Sequence, residues 1–277
     1  MTAGSRFARG LAGAAAGSMI WGSIEARSLR RRVLEARLVG LPEELDGVTI
    51  LHVSDVHAGL GPGLGMLART VAWSEQLRPD LIALTGDLVT RARGIDPLQR
   101  AAKALAATAG VGAFAVFGNH DHGDATDPFA DGSSVRELDG FEMLPGAMAA
   151  LELRGQRVSL VGVAADQFVK RRPLEVTARV ERAAALRVLL CHYPTVLDRL
   201  EPGAFQLVLA GHMHAGQICV PWPGGRVGLS HWHARYSAGV YQREGTLMHV
   251  SPGLGTTFLP FRILARPEAT LLVLRAA

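Results

Sequence analysis

From about Gly47 the chain alternates short apolar runs with stretches of helical periodicity. VTILHV (48–53), DLIALT (80–85) and GAFAVF (112–117) are β-type runs bounded by Gly, Pro and Asp, and they predict strands. Between them, MLARTVAWSEQL (66–77) and PLQRAAKALAAT (97–108) place apolar residues at helical intervals, and the first leads through Pro79 into the next strand. Such β–α alternation predicts a layered domain in which helices cover sheet faces. The second half reads differently. LELRGQRVSLVGV (151–163) predicts a hairpin turning at Gly155. A helical stretch around 174–185 precedes the strand LRVLLCH (186–192), and a short helix leads on to FQLVLAGHMH (205–214). PWPGG and LSHWHARY read as loops, and TLMHVS (246–251) and ATLLVL (269–274) as the last strands. The expectation is a mixed α/β (α+β) domain over 45–277, built from two sheet-containing halves without a repeat, and preceded by a separate segment, 1–44.

Composition narrows this picture without redirecting it. With 48% hydrophobic and 19% charged residues in a chain of 277, a sizeable core forms and disorder is excluded. The formal charge of +4 is too small to argue for a specific nucleic-acid partner, though it suits an anionic substrate or membrane surface. Cys191 and Cys219 form neither a disulfide framework nor a metal motif and read as small buried hydrophobes. At the N-terminus, Arg6 and Arg9 precede GLAGAAAGSMIWGSI (10–24), followed by Glu25 and arginines at 27, 30, 31, 32 and 37. Fifteen residues rich in Gly and Ala fall short of the roughly 20 that a spanning helix needs. An interfacial anchor, a signal-like segment with Ala14–Ala16 near its end, and a helix packed on the domain are the three readings. Membrane association is the expectation, and the arginines after the apolar stretch favour the cytoplasmic face.

The chemistry collects at the ends of strands. Asp55-x-His57, Gly86-Asp87, Gly118-Asn119-His120-Asp121, His192 and Gly211-His212-x-His214 each follow an apolar run, where ligand-binding loops lie in α/β sheets. Glycine lets the backbone turn sharply there and aims the next side chain into a shared crevice. On extended backbone, Asp-x-His and His-x-His would send both side chains to one side. Taken alone, a His after a strand or a Gly-Asp turn is unremarkable; the succession is not. Four imidazoles (His57, His192, His212, His214), two carboxylates (Asp55, Asp87) and the amide of Asn119 are too many donors for one tetrahedral zinc. They suit two divalent ions sharing a carboxylate. Nitrogen and oxygen donors without thiolate point to Mn, Fe or Zn, with manganese favoured.

The ordered set D-x-H, G-D, G-N-H-D, H and G-H-x-H resembles the calcineurin-like metallophosphoesterases over about residues 47–277. Within them it is most similar to the YkuE-like bacterial branch, through GHMHAGQ (211–217), YSAGVY (236–241), SPGLGTT (251–257) and the closing ARPEATLLVL. The resemblance implies a four-layer αββα sandwich with a dimetal site at the strand ends. It assigns Asp55, His57 and His214 to one metal, Asn119, His192 and His212 to the other, and Asp87 to both. It makes His120 the general acid and Asp121 its orienter, with in-line attack by a hydroxide held between the metals. The reaction it implies is hydrolysis of a phosphodiester by a monomer, with phosphomonoester hydrolysis as the alternative and a non-catalytic scaffold as the reading from another class.

Two departures from relatives bear on substrate. Pro252 stands in the segment SPGLG where some relatives carry Arg, and the short stretch 124–146 leaves no room for a helical cap, which predicts an open cleft. His122, Tyr193, His231, His233 and Arg235 are candidates for substrate contact on late or neighbouring loops. Lys170, Arg171 and Arg172 read as a solvated basic turn or a phosphate contact.

Overall fold

The apolar runs are buried on both faces, which places them at sheet centres. In the computed structural model, which describes residues 16–122, 127–169, 173–223, 225–229 and 232–277, the strands form two six-stranded sheets and a two-stranded ribbon. The first sheet holds β1 (Arg30–Leu38), β2 (Thr49–Val53), β3 (Leu81–Thr85), β4 (Gly112–Val116), β5 (Glu142–Met143) and β14 (Glu268–Ala276), in the order β1-β14-β2-β3-β4-β5. The second holds β6 (Met148–Leu153), β7 (Gln156–Val163), β8 (Leu186–Cys191), β9 (Leu207–Ala210), β12 (Gly239–Arg243) and β13 (Thr246–Val250), in the order β12-β13-β9-β8-β7-β6. The ribbon pairs β10 (Cys219–Trp222) with β11 (Gly225–Gly228). β2, β3 and β4 run parallel, as do β7, β8, β9 and β13, so the ends that carry chemistry emerge together.

The layers follow from alternation along each strand. Ile50, Leu81, Phe114, Leu160, Val188 and Leu209 point between the sheets and form one core. Leu51, Ile82 and Ala115 point outward against α2 (Gly63–Leu77) and α3 (Ile95–Ala106), through residues such as Leu67, Leu98 and Leu105. On the far side, Val161, Leu189 and Val208 are covered by Val176 of α5 (Pro173–Thr177) and by Val196 and Leu197 of a 3-10 helix, Pro194–Arg199. The result is the αββα sandwich. A polar contact crosses its middle. His52 of β2 and His249 of β13 meet at 2.8 Å between their Nδ1 atoms, both fully buried. Burial depresses both imidazoles, His249 to about 3, so the pair is held neutral.

Three local expectations change. The N-terminal segment contributes β1, which pairs in parallel with β14 from Arg30↔Glu268 to Leu38↔Ala276, so arginines 30, 31, 32 and 37 lie on an edge strand. Of PWPGG, Pro221, Trp222 and Gly225 pair within the β10–β11 ribbon rather than lying in an open loop. The helix expected around 174–185 shortens to α5, because the backbone N–H of Glu181 is taken by Ser159 Oγ, and Val180 and Ala184 close three-residue turns. The 151–163 hairpin turns at Arg154 and Gly155, both with positive φ, as a tight β-turn requires. Both cysteines are free and buried, and burial pushes the Cys191 thiol up to about 12.

Residues 16–25 form a helix, α1, against the 261–265 loop: Arg262 N–H donates to Gly22 O, and Ala265 N–H to Glu25 Oε1. Its other face exposes Met19, Ile20, Trp21 and Ile24. Among the described residues no helix is long and apolar enough to cross a membrane. Residues 1–15, Lys170, Arg171, Arg172 and His231 lie outside the described residues.

Candidate metal centre

The strand-end residues converge on two groups that share one carboxylate. Asp55, His57, Asp87 and His214 bring ligand atoms within 4.8 Å of one another, and Asp87, His192 and His212 do the same. His57 Nε2 stands 3.1 Å from His214 Nε2 and 3.5 Å from Asp87 Oδ2, and His214 Nε2 is 3.4 Å from Asp55 Oδ1. In the second group His192 Nε2 lies 3.2 Å from Asp87 Oδ2, 3.2 Å from His212 Nδ1 and 3.1 Å from Asn119 Oδ1. Donors held at about 2.1 Å by a common ion, at angles between square and tetrahedral, stand roughly 3.0–3.4 Å apart. The donor set therefore fits two divalent ions with Asp87 between them.

The backbone delivers these side chains in an unexpected way. Asp55, His57, Asp87, His212 and His214 all have φ between 47° and 74°. Neither Asp-x-His nor His-x-His is extended: each curls through the left-handed region, which costs a non-glycine residue about 1 kcal/mol or more. Buried hydrogen bonds hold the curl. Asp55 N–H donates to Gly86 O, His57 N–H to Asp87 O, and His212 N–H to the Asp55 carboxylate at 3.1 Å. Glycines allow the loops to touch. A Cβ on Gly86 would meet Gly118 N and His192 Nδ1 at 2.6 Å, and one on Gly118 would collide with Asp87 Oδ1.

Partners stand behind the rings, and for His192 the partner fixes which nitrogen is offered. His192 Nδ1 lies 2.8 Å from the Thr85 carbonyl, which can only accept, so the proton sits on Nδ1 and Nε2 faces the site. His57 Nδ1 meets Thr90 Oγ1 at 3.0 Å. Behind His214 stands Arg262, fully buried, with Nη2 at 3.2 Å from His214 Nδ1. The same Nη2 reaches Gly255 O at 2.6 Å and Gly253 O at 3.3 Å, which anchors the guanidinium behind the His214 ring. Arg262 also donates to the carbonyls of Pro252 and Ala265, tying the 252–265 loop to the centre. Nothing in its local sequence marks it; only the fold brings it here.

Electrostatics divide the carboxylates. Burial pushes Asp55 up to about 7, with the charge of Asp87 adding to it. Burial acts on Asp87 as well, but His192, His120 and His57 outweigh it and hold its carboxyl well below the usual range. Burial and the neighbouring His120 lower His57 to about 3 despite Asp87, and burial, His57 and Arg262 lower His214. Against burial, Asp87 pulls His192 up to about 9. A divalent ion among these oxygens favours the ionised carboxylates and neutral imidazoles.

His120 and Asp121 open a one-turn 3-10 helix, His120–His122. The His120 ring stands edge-on to His57, 4.6 Å between centroids, and its backbone N–H donates to Asp87 Oδ1. Its Nδ1 is buried with no hydrogen-bond partner among the described residues. The expected bond from Asp121 to that ring is therefore absent. Asp121 instead accepts the N–H groups of Leu88 (2.8 Å), Val89 (3.2 Å) and Gly118 (2.8 Å), clamping the loop after β3 to the loop after β4. Removing this clamp in Asp121→Ala leaves three buried amides unsatisfied. A loss of about 3 kcal/mol is expected, seen as a fall of roughly 6–12 °C in melting temperature.

Other candidates sort by what they touch. Tyr193 packs its ring against His212 (4.6 Å) and His192 (5.4 Å), at the second group. His122 pairs with Asp166 at 3.5 Å, and His233 stacks on Trp232. Arg235 is committed to Asp198, which it shares with Arg243 and the Tyr236 hydroxyl.

Comparison with known proteins agrees with this geometry. A family model described as calcineurin-like phosphoesterase matches residues 48–216. The metallophosphoesterase YkuE of Bacillus subtilis is 29% identical over 85% of this chain and 82% of its own. Phosphodiesterase YaeI of Escherichia coli is 25% identical over 87% of each chain. A zebrafish transmembrane protein with a metallophosphoesterase domain is 29% identical over 86% of this chain and 55% of that protein.

Proposed function

Because this chain belongs to the calcineurin-like phosphoesterase family, we propose that it is a dimetal-dependent phosphodiesterase. The observation that carries the reading is Asp87, buried and shared by two groups of nitrogen and oxygen donors, with the ring of His120 against the donor His57. Asp55, His57, Asp87 and His214 would hold one divalent ion, and Asp87, Asn119, His192 and His212 the other. Nitrogen and oxygen donors without thiolate suit Mn, Fe or Zn, and manganese is the ion to test first. When bound, two such ions supply Lewis-acid neutralisation of phosphoryl oxygens and a nucleophile at neutral pH.

This chain's own residues do the remainder. His120 would give a ring proton to the leaving oxygen, a role supported by its ring standing against His57 and by its unpartnered Nδ1. Thr85 and Thr90 hold the rings of His192 and His57 in place. Tyr193 packs edge-on against the ring of His212 and would limit its movement. The likeness to a named phosphodiesterase supports the diester over the monoester. The test is a comparison of bis-p-nitrophenyl phosphate with p-nitrophenyl phosphate after reconstitution with Mn²⁺. Faster monoester hydrolysis would assign the chain to the phosphomonoesterases.

We further infer that the monomer works at an anionic membrane surface. The exposed apolar face of α1 supports this, as does the adjoining hollow of about 740 Å³, where Trp21, Ile24 and Leu264 stand among Arg30, Arg226 and Arg266. Full-length protein is expected to sediment with phosphatidylglycerol vesicles but not with phosphatidylcholine vesicles. Ile20→Glu with Trp21→Glu should cut that binding at least tenfold, and undiminished binding would remove α1 from the surface.

A further inference from the structure

An apolar trench shares His214 with the metal centre. A cavity of about 460 Å³ adjoins His214 and is otherwise walled by Met213, Ile218, Leu229, Phe258 and Leu259, with Gln217 and Thr257 as its polar members. Its size falls in the usual range of ligand pockets, roughly 300–1,000 Å³. The two polar side chains offer a ligand little. Gln217 Oε1 accepts the Thr257 N–H at 2.9 Å and faces its hydroxyl at 3.2 Å. Gln217 Nε2 donates to the carbonyls of Thr257 at 2.7 Å and Leu259 at 3.1 Å. With these groups largely occupied by one another, the trench offers a ligand mainly apolar surface.

Its rim is exposed where a water-soluble substrate would not require it. Leu229 is 58% accessible, Phe258 47% and Leu259 43%, and all three line the cavity that His214 adjoins. Phe258 is also held at φ 57°, a conformation costly for an aromatic residue, and Leu229 is fixed by its N–H to Ile218 O. The backbone is thus constrained to display apolar side chains beside His214.

We propose that this trench is an alkyl-chain subsite, and that the substrate is an amphiphile whose phosphate ester sits at the metal centre with an apolar chain along Leu229, Phe258 and Leu259. The inference rests on the phosphodiesterase reading and names the class of ester it acts on. A lipid held in a bilayer and a free amphiphile present the same chemistry. No added covalent step is involved, since the chain contributes binding alone.

The experiment measures kcat/KM of the Mn²⁺-loaded full-length protein on p-nitrophenyl methyl, butyl and octyl phosphodiesters. Each methylene buried in the trench is expected to raise kcat/KM about two- to fourfold until the trench is full. The octyl ester should therefore exceed the methyl ester at least tenfold. Leu229→Ser and Leu259→Ser, at exposed positions that the fold tolerates, should flatten that ratio. A flat series in the unsubstituted protein, with the methyl ester hydrolysed, overturns the subsite and leaves the phosphodiesterase reading standing. A ratio unchanged by both substitutions also overturns it, because the chain is then gripped elsewhere. If even the methyl ester is untouched, the phosphodiesterase reading fails, and calorimetry decides the subsite alone. Octylphosphonate must then bind more tightly than methylphosphonate, with a negative heat-capacity change, or the subsite falls too. Comparing dihexanoyl phosphatidylglycerol monomers with dioleoyl phosphatidylglycerol vesicles separates the free amphiphile from the membrane lipid.

Discussion

Asp87→Asn is expected to lower kcat/KM on bis-p-nitrophenyl phosphate by at least about a thousandfold, equivalent to about 4 kcal/mol of barrier. It should also lower the bound metal from two ions per chain to one or fewer. The expectation follows from position. Asp87 Oδ2 is 3.5 Å from His57 Nε2 and 3.2 Å from His192 Nε2, so one carboxylate serves both donor groups. An amide carries no charge to offset two dications in a fully buried site, and its second atom donates where an acceptor is needed. Asparagine keeps the size of the side chain and an oxygen for the His120 N–H, which bonds Oδ1 at 3.0 Å. The fold should therefore survive, and the metal-free variant should melt no lower than the metal-free parent. Elemental analysis and steady-state kinetics on the same preparations decide the matter. Activity within tenfold of the parent, with two ions still bound, would show that the shared carboxylate is not the centre of the chemistry.

How much of this was legible in the sequence depends on the range of the interaction. The strands β2, β3 and β4 and the helices between them were readable because burial on both faces writes itself as a continuous apolar run, and amphipathic helices as a period. The donor groups were readable because parallel strands bring their carboxyl ends together, so a Gly-Asp or a His after a run marks a shared crevice. The backbone at those donors was not. Five of the seven residues nominated as ligands are left-handed, a conformation that long-range bonds such as Asp55 N–H to Gly86 O impose and no local pattern encodes. Arg262 and the His52–His249 pair were hidden for the same reason: each acquires its meaning from residues almost 50 positions away or more. β1 was obscured by its arginines, which are tolerable on an edge strand because its exposed face meets solvent and Glu268 pairs with Arg30 and Arg32. Asp121 shows the limit of carrying a role across by motif. The residue stands where the motif puts it, yet its oxygens bind three amides rather than the neighbouring imidazole.

That distinction makes His120→Asn the sharper probe of mechanism, because its effect should depend on the leaving group. General acid catalysis is worth about 10²–10⁴ in rate when the departing oxygen needs a proton. p-Nitrophenolate leaves without one. His120→Asn should therefore cost less than about tenfold on bis-p-nitrophenyl phosphate, and about a hundredfold or more when a dialkyl diester is cleaved. A plot of log kcat/KM against leaving-group pKa should fall more steeply in the variant than in the parent. Metal content should not change, since the side chain is in neither donor group and the N–H that reaches Asp87 belongs to the backbone. Asp121→Ala offers the contrast. It removes the clamp between the loops after β3 and β4, so it should lower the melting temperature while leaving the leaving-group dependence near that of the parent. Equal losses on activated and unactivated esters in His120→Asn would exclude proton donation and leave the ring a part in shaping the site beside His57. A steeper leaving-group slope in Asp121→Ala as well would mean that the clamp sets the aim of the His120 ring, and the two residues would then have to be treated as one unit.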